Sequence, residues 1–343
     1  MPISGKTVLL AAAMAALTTF TVALHATTVY VGGSGSGHYS TIQAAVNALP
    51  SGGGTVEVAA GTYKQQVTVS TANVKIVGEG SSASSTVLYD DLSSSGSSDE
   101  ASSTLIVKNT ATNFILEDME VENTNTIEGN SRVPALAVYI VADRVVMRNV
   151  RLIGRQDTVY LGSEGCGSST CTPARQYIYG SYIEGNVDFI FGDGASVFDG
   201  CTIMIDENGS TSGETTMTAA RRVFANYLSG YVIWSSTIES QSSSQTNDYL
   251  GRPWNANAKV VVINTNMQAP IATAGWIEWE PGTTDYLATA YYAEYGSSGT
   301  GATGYANKER ESHAVYLTSS ETSQYAPDTF LAGSDGWNPT SID

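Results

Sequence analysis

Short runs of β-branched and apolar residues, each closed by a Gly, Ser or Asn turn, recur from about residue 29 to residue 267, and this rhythm leaves few folds open. Residues 55–58, 74–78, 104–107, 114–119, 145–150, 177–180 and 260–263 are examples. Strands this short, separated by turns, suit a sandwich, a barrel or a β-solenoid. Three details select the solenoid. Paired runs, such as 114–119 with 120–124 and 145–150 with 151–154, return about every 20 to 35 residues, the range of a coil repeat. Asn residues at Asn109, Asn113, Asn123, Asn125 and Asn149 predict tight bends between sheet faces. Helical periodicity is confined to residues 40–49, where Ser40 can cap a short helix that covers the open end of the first coil. The 34 Gly residues and the excess of Tyr over Phe, 19 to 7, agree with turn-rich all-β structure. Residues 93–103 read as an exposed, Ser-rich acidic loop, and the tail after Asp285 as a partly helical C-terminal wrap with no second domain.

Hydrophobic residues make up 42% and charged residues 14%, so the chain buries a large core and folds unaided. A formal net charge of −17 with no basic block argues against nucleic acid and anionic membrane surfaces as partners. Lys6, the apolar stretch from Thr7 to Leu24 and the small Ala26 have the layout of a secretory signal peptide, which leaves 27–343 as the mature domain. That stretch approaches the length of a membrane span, but its Ala and Thr content makes it weakly hydrophobic and favours cleavage and export. In an exported chain Cys166 and Cys171, with four residues between them, can close a Gly/Ser-rich loop, which leaves Cys201 unpaired in a strand-like setting. Three Cys without clustered His make no metal site, and His stands only at 25, 38 and 313. Asn208 begins a glycosylation sequon, usable in a eukaryotic host.

The residues able to carry chemistry concentrate in Gly154-Arg155-Gln156-Asp157-Thr158-Val159-Tyr160, Gly185-Asn186-Val187-Asp188-Phe189-Ile190-Phe191-Gly192 and Leu250-Gly251-Arg252-Pro253-Trp254. Asp157 and Asp188 sit inside apolar runs, where an ionised carboxylate is expensive unless paired. A lone Asp there is more often a turn residue; two of them with an Arg suggest a site. Coils of a β-helix stack about 5 Å apart, and the separation of 31 positions between the two Asp corresponds to one coil plus the cysteine loop. Both carboxylates can therefore share a groove. Arg252 can hold one ionised through a bidentate contact while the other keeps its proton.

These three motifs, with Tyr39-Ser40-Thr41-Ile42-Gln43-Ala44-Ala45 and Gly61-Thr62-Tyr63 upstream, resemble those of the pectin methylesterases, and the resemblance runs from about Thr28 to Trp279. It implies a right-handed parallel β-helix and a carboxylic ester hydrolase acting on methylated homogalacturonan. By position, it makes Asp188 the nucleophile, Asp157 the general acid and base, Gln156 an oxyanion-hole donor and Arg252 the residue that orients Asp188. Trp254 offers a face to a galacturonate ring, while Tyr160 and Phe191 resemble groove aromatics that can alternatively just pack. No metal or organic cofactor is implied, and a secreted, extracellular monomer is expected.

The sequence departs from the family pattern in three places. The position of a second oxyanion Gln is held by Pro134, which has no side-chain donor; loss of one such donor costs roughly 10²- to 10³-fold in rate. Ser181 replaces a Cys that would otherwise bridge to Cys201. The loop between Asp157 and Asp188 is long, and it either lines the groove or is a surface insertion without a role. Pro134 keeps open an esterase or thioesterase of the same fold acting on another ester, and a pectin-binding β-helix without turnover. A lyase of this architecture is disfavoured, since calcium-binding carboxylates and a basic catalytic residue are absent in recognisable order. The acidic surface is expected to repel demethylated polygalacturonate and favour highly methylated stretches, the alternative being that the acidity serves only solubility.

Overall fold

The computed structural model describes residues 27–93, 98–125, 133–164, 171–206, 214–241 and 247–342. Three parallel sheets of twelve, eight and seven strands wind around a common core, which is the parallel β-helix expected from the rhythm of short strands. One coil consists of Val145–Arg148, Arg151–Ile153 and Val159–Leu161; the next consists of Arg175–Tyr179, Tyr182–Gly185 and Val187–Gly192. Register runs through every coil, with Val146 beside Tyr177, Leu152 beside Ile183 and Tyr160 beside Phe191. Alternate residues point inward, so Leu116, Met147, Ile178, Phe198 and Ile233 form one continuous buried stack.

The turns between sheets are left-handed. Asn73, Asn113 and Arg144 have φ of 59°, 60° and 59° on successive coils, and Asp118 and Asn149 have 55° and 49°. Asn and Asp tolerate this conformation because their short polar side chains bond locally. Here they also bond along the stack: Asn113 Nδ2 donates to Asn73 Oδ1 at 2.7 Å, and Asn149 Nδ2 donates to Asp118 Oδ1 at 2.6 Å. Asn123 differs from its expected role. It lies buried at the end of a strand and donates to the carbonyls of Leu92, Ser102 and Leu136, tying three segments together rather than making a bend.

The N-terminal helix spans Ile42–Ala48, and its cap is Thr41 rather than Ser40: Thr41 Oγ1 accepts from Ala44 N–H at 3.1 Å. Ile42, Ala45 and Val46 are buried against the first coil. The chain after residue 285 adds two parallel strands, Tyr291–Tyr295 and Val315–Tyr316, and two short helices, Thr303–Asn307 and Pro327–Phe330. A buried ion pair fastens this segment: Arg310 Nε donates to Glu294 Oε1 at 2.7 Å, with side-chain exposures of 0% and 2%. Arg310 also donates to the carbonyls of Ala272, Thr273 and Gly301. Glu294→Gln leaves a buried guanidinium without its counter-charge and is expected to cost about 3 to 5 kcal/mol, seen as a lowered urea midpoint.

Cysteine placement follows the sequence in part. Cys171 is disulfide-bonded, and Cys166, its expected partner, lies outside the described residues. Cys201 is free, and burial pushes its thiol up to about 12, which makes it a packing residue rather than a reactive one. The leader at 1–26 and the sequon at Asn208 also lie outside the described residues.

Candidate active site

The seven-stranded sheet carries the cluster. Tyr139, Tyr160, Phe191 and Ala219 occupy one register across four successive coils, forming a ladder on the outer face. Tyr139 and Tyr160 stack with centroids 4.6 Å apart, Phe191 meets Tyr160 edge-on at 4.9 Å, and Trp254 and Trp279 continue the strip. A cavity of about 280 Å³ opens against this strip, walled by Asp99, Gln156, Asp157, Asp188, Phe191, Ala219, Arg252, Trp254 and Trp279.

Backbone irregularity aims the two carboxylates. Asp157 and Asp188 have φ of 61° and 51°, in the left-handed region that costs most residues about 1 kcal/mol or more. At Asp188 the strand is also bulged: Val187 pairs with Thr216 and Ile190 with Thr218, so the register shifts by one residue across the bulge. A bulge turns a side chain that regular pleating would direct elsewhere, and bulges gather beside active sites for that reason.

Asp188 is buried and fully engaged. Arg252 clasps it with both prongs, Nε to Oδ1 at 2.9 Å and Nη2 to Oδ2 at 2.6 Å. Thr216, 1% exposed, closes a small ring around it: Thr216 Oγ1 donates to Asp188 Oδ1 at 2.7 Å and accepts from Asp188 N–H at 3.0 Å. Arg252 is itself placed by its N–H to the Thr218 carbonyl at 2.9 Å and by stacking on Trp279, with Cζ 4.4 Å from the ring centroid. Asp157 has a different environment. Burial raises its pKa well above the usual carboxylate value, Asp188 and Asp99 add to the rise, and Arg252 opposes it. The two carboxylates in one cavity are thus chemically unlike, which is the condition for dividing acid and nucleophile roles between them.

Of the residues expected from sequence, Gln156, Asp157, Asp188, Arg252, Trp254 and Phe191 meet in the cavity. Tyr160 does not wall it; packed between Tyr139 and Phe191, it extends the aromatic strip. Pro134 sits one coil before Gln156, since the following residue, Ala135, donates its N–H to the Gln156 carbonyl at 3.3 Å. Gln156 is accordingly the amide side chain in the cavity wall.

Sequence reasoning missed Thr216, Trp279 and Asp99. Only the repeated Thr of Thr215-Thr216-Met217-Thr218 hinted at the first. Thr216→Val removes both hydrogen bonds to Asp188 at constant shape and is expected to lower stability by about 1 to 3 kcal/mol, measurable by urea unfolding.

A three-sheet solenoid with an open, aromatic-floored cleft and two carboxylates of unlike environment is a parallel β-helix with the concave, partly apolar setting of a ligand site. The family model described as Pectinesterase matches residues 28–334, and the chain belongs to the pectinesterase family. It is 32% identical over 307 residues to a probable pectinesterase/pectinesterase inhibitor of Arabidopsis thaliana, covering 87% of this chain and 51% of that protein. To a pectinesterase of Daucus carota it is 29% identical, covering 92% of this chain and 96% of the other. The chain thus spans about half the length of the Arabidopsis relative and nearly all of the carrot one. Among solved structures, pectin methylesterase from carrot superposes with a TM-score of 0.77 at 27% identity, covering 92% of this chain and 96% of the other. The Aspergillus niger pectin methylesterase gives 0.73 at 28% identity with the same coverages. The shared architecture is the right-handed parallel β-helix.

Proposed function

We propose that this chain is a pectin methylesterase, hydrolysing methyl esters of galacturonate units to carboxylate and methanol. The observation that carries the reading is the unlike carboxylate pair: Asp188 clasped by Arg252 through both oxygens, with Asp157 beside it and its pKa raised. In this reading an Asp188 oxygen attacks the ester carbonyl carbon, and the negative charge moves to the carbonyl oxygen, where the Gln156 amide donates to it. The C–O bond to the methoxy group breaks as Asp157 gives its proton to the leaving oxygen, releasing methanol and leaving an anhydride with Asp188. Asp157, now a carboxylate, takes a proton from water as that water attacks the galacturonyl carbon. Asp188 departs as carboxylate, Asp157 is left protonated for the next cycle, and the product passes its remaining proton to solvent and leaves as a carboxylate. Phe191, Trp254 and Trp279 supply apolar faces for the sugar rings.

The test is methanol release from highly methylated pectin, run beside simple acyl esters. Release from pectin alone supports the reading, and turnover of the simple esters alone contradicts it. Pro134 specifically favours a second reading, an esterase of the same fold with another substrate, and the same comparison separates the two. The proposal extends to export through residues 1–26, action as a monomer on extracellular methylated homogalacturonan, and one β-helix domain over 27–343. Among the described residues no helix is long and apolar enough to cross a membrane.

A further inference from the structure

Asp99 puts a third carboxylate in the wall of the ester cavity. It comes from the acidic, Ser-rich loop that the sequence presents as an exposed excursion, yet the described end of that loop is firmly held. Ser102 and Ser103 are fully buried, and their hydroxyls donate to the Asp99 carbonyl at 3.0 and 2.7 Å. Asn123 Nδ2 holds the Ser102 carbonyl at 2.8 Å. These contacts run through backbone atoms of residue 99, so its position does not depend on its carboxylate. The neighbouring Glu100 is neutralised by Lys108, whereas no Lys or Arg of the described residues lies within ion-pair distance of Asp99.

The charge count of the cavity then matters. Arg252 is the cation in its wall, and two of its nitrogens are already given to Asp188. Arg221 stands outside the wall, its Cζ 5.4 Å from the Trp254 ring centroid. Hydrolysis turns a neutral ester into an anion at this spot, and among the described wall residues Arg252 is already paired with Asp188 while Asp99 has no cationic partner.

We propose that Asp99 sets the charge selectivity of the ester site: its carboxylate refuses a second anion, so that the neutral methyl ester is retained and the carboxylate product is expelled. This rests on the methylesterase reading above. Asp99 acts on Asp157 through the same field, alongside Asp188 and against Arg252, and so acts as a positioning and selectivity residue rather than a catalytic one. Burial raises the pKa of Asp99 itself, so the selectivity fades as pH falls and Asp99 takes up a proton.

The experiment compares wild type, Asp99→Asn and Asp99→Glu, with methanol release from methylated pectin as readout and a fully demethylated oligogalacturonate as inhibitor. Asp99→Asn is expected to bind the inhibitor about five-fold more tightly at low salt, the scale of one solvent-screened charge pair about 4 Å apart in water. The gain shrinks as salt screens the pair. Asp99→Glu keeps wild-type inhibition, and the alkaline limb of kcat/KM in Asp99→Asn moves to lower pH. Equal inhibition constants in wild type and Asp99→Asn, or a change indifferent to salt, overturn the proposal. If wild type releases no methanol, the methylesterase reading fails by itself. Calorimetric binding of the same oligogalacturonate to wild type and Asp99→Asn still decides whether Asp99 repels carboxylates: tighter binding to the variant supports it and equal binding refutes it.

Discussion

Asp188→Asn is expected to lower methanol release from methylated pectin by about 10⁴-fold or more, the scale seen when a covalent nucleophile is removed. The substitution is a close test because little else should change. Asn accepts the left-handed backbone at this bulge, where φ is 51°, as readily as Asp does. Its amide oxygen can still accept from Thr216 Oγ1. What disappears is the negative charge inside the Arg252 fork, leaving a guanidinium that is 23% exposed without its partner. Some stability is therefore lost with activity, and the comparison requires folded protein, checked by circular dichroism and by a sharp urea transition. A folded Asp188→Asn enzyme with wild-type turnover contradicts the assignment.

Asp157→Asn is expected to lower kcat by about 10²- to 10⁴-fold on methyl esters, the usual worth of a positioned proton donor. The size of the loss depends on the leaving group. Methoxide needs a proton as it departs, whereas a nitrophenolate ester does not, so release of nitrophenol in the first turnover should largely survive while the later water attack stays slow. A burst of nitrophenol followed by slow turnover is the signature. Equal loss on both esters in the first turnover removes Asp157 from the acid role. Stability moves the other way. Because the folded-state pKa of Asp157 is raised, its contribution to stability is complete below the ordinary carboxylate pKa and is lost as pH rises through the folded value. Asp157→Asn has no such loss, so it should unfold at higher urea than wild type at neutral pH and match it in acid. In the proposed role the acid is thus kept protonated at a cost in stability that folding alone does not favour.

The solenoid was legible because its physics is local: a β-branched run reads as a strand wherever it ends, and Asn113 and Asn149 mark their left-handed turns by side-chain chemistry alone. Asn123 was misread since burial, not local sequence, fixes its partners. The helix cap moved from Ser40 to Thr41, a one-residue shift between two competent hydroxyls. At the site, Asp157, Asp188 and Arg252 stood out as charges inside apolar runs. Thr216 did not, because a buried threonine on a strand has many ordinary uses, and its two bonds to Asp188 depend on coil register. Asp99 was hidden for a related reason. A charge in a Ser-rich stretch looks solvated until buried hydroxyls and Asn123 are seen to fix the backbone beside the cavity.

The central claim is that Asp188 carries the galacturonyl group between methanol release and hydrolysis. Methyl and ethyl esters of one oligogalacturonate can be turned over in the presence of hydroxylamine, which competes with water for any acyl-enzyme, and the ratio of hydroxamate to free acid measured for each. A common anhydride with Asp188 predicts the same ratio for both esters, because the alcohol has left before the choice is made. A ratio that changes with the alcohol contradicts the covalent route.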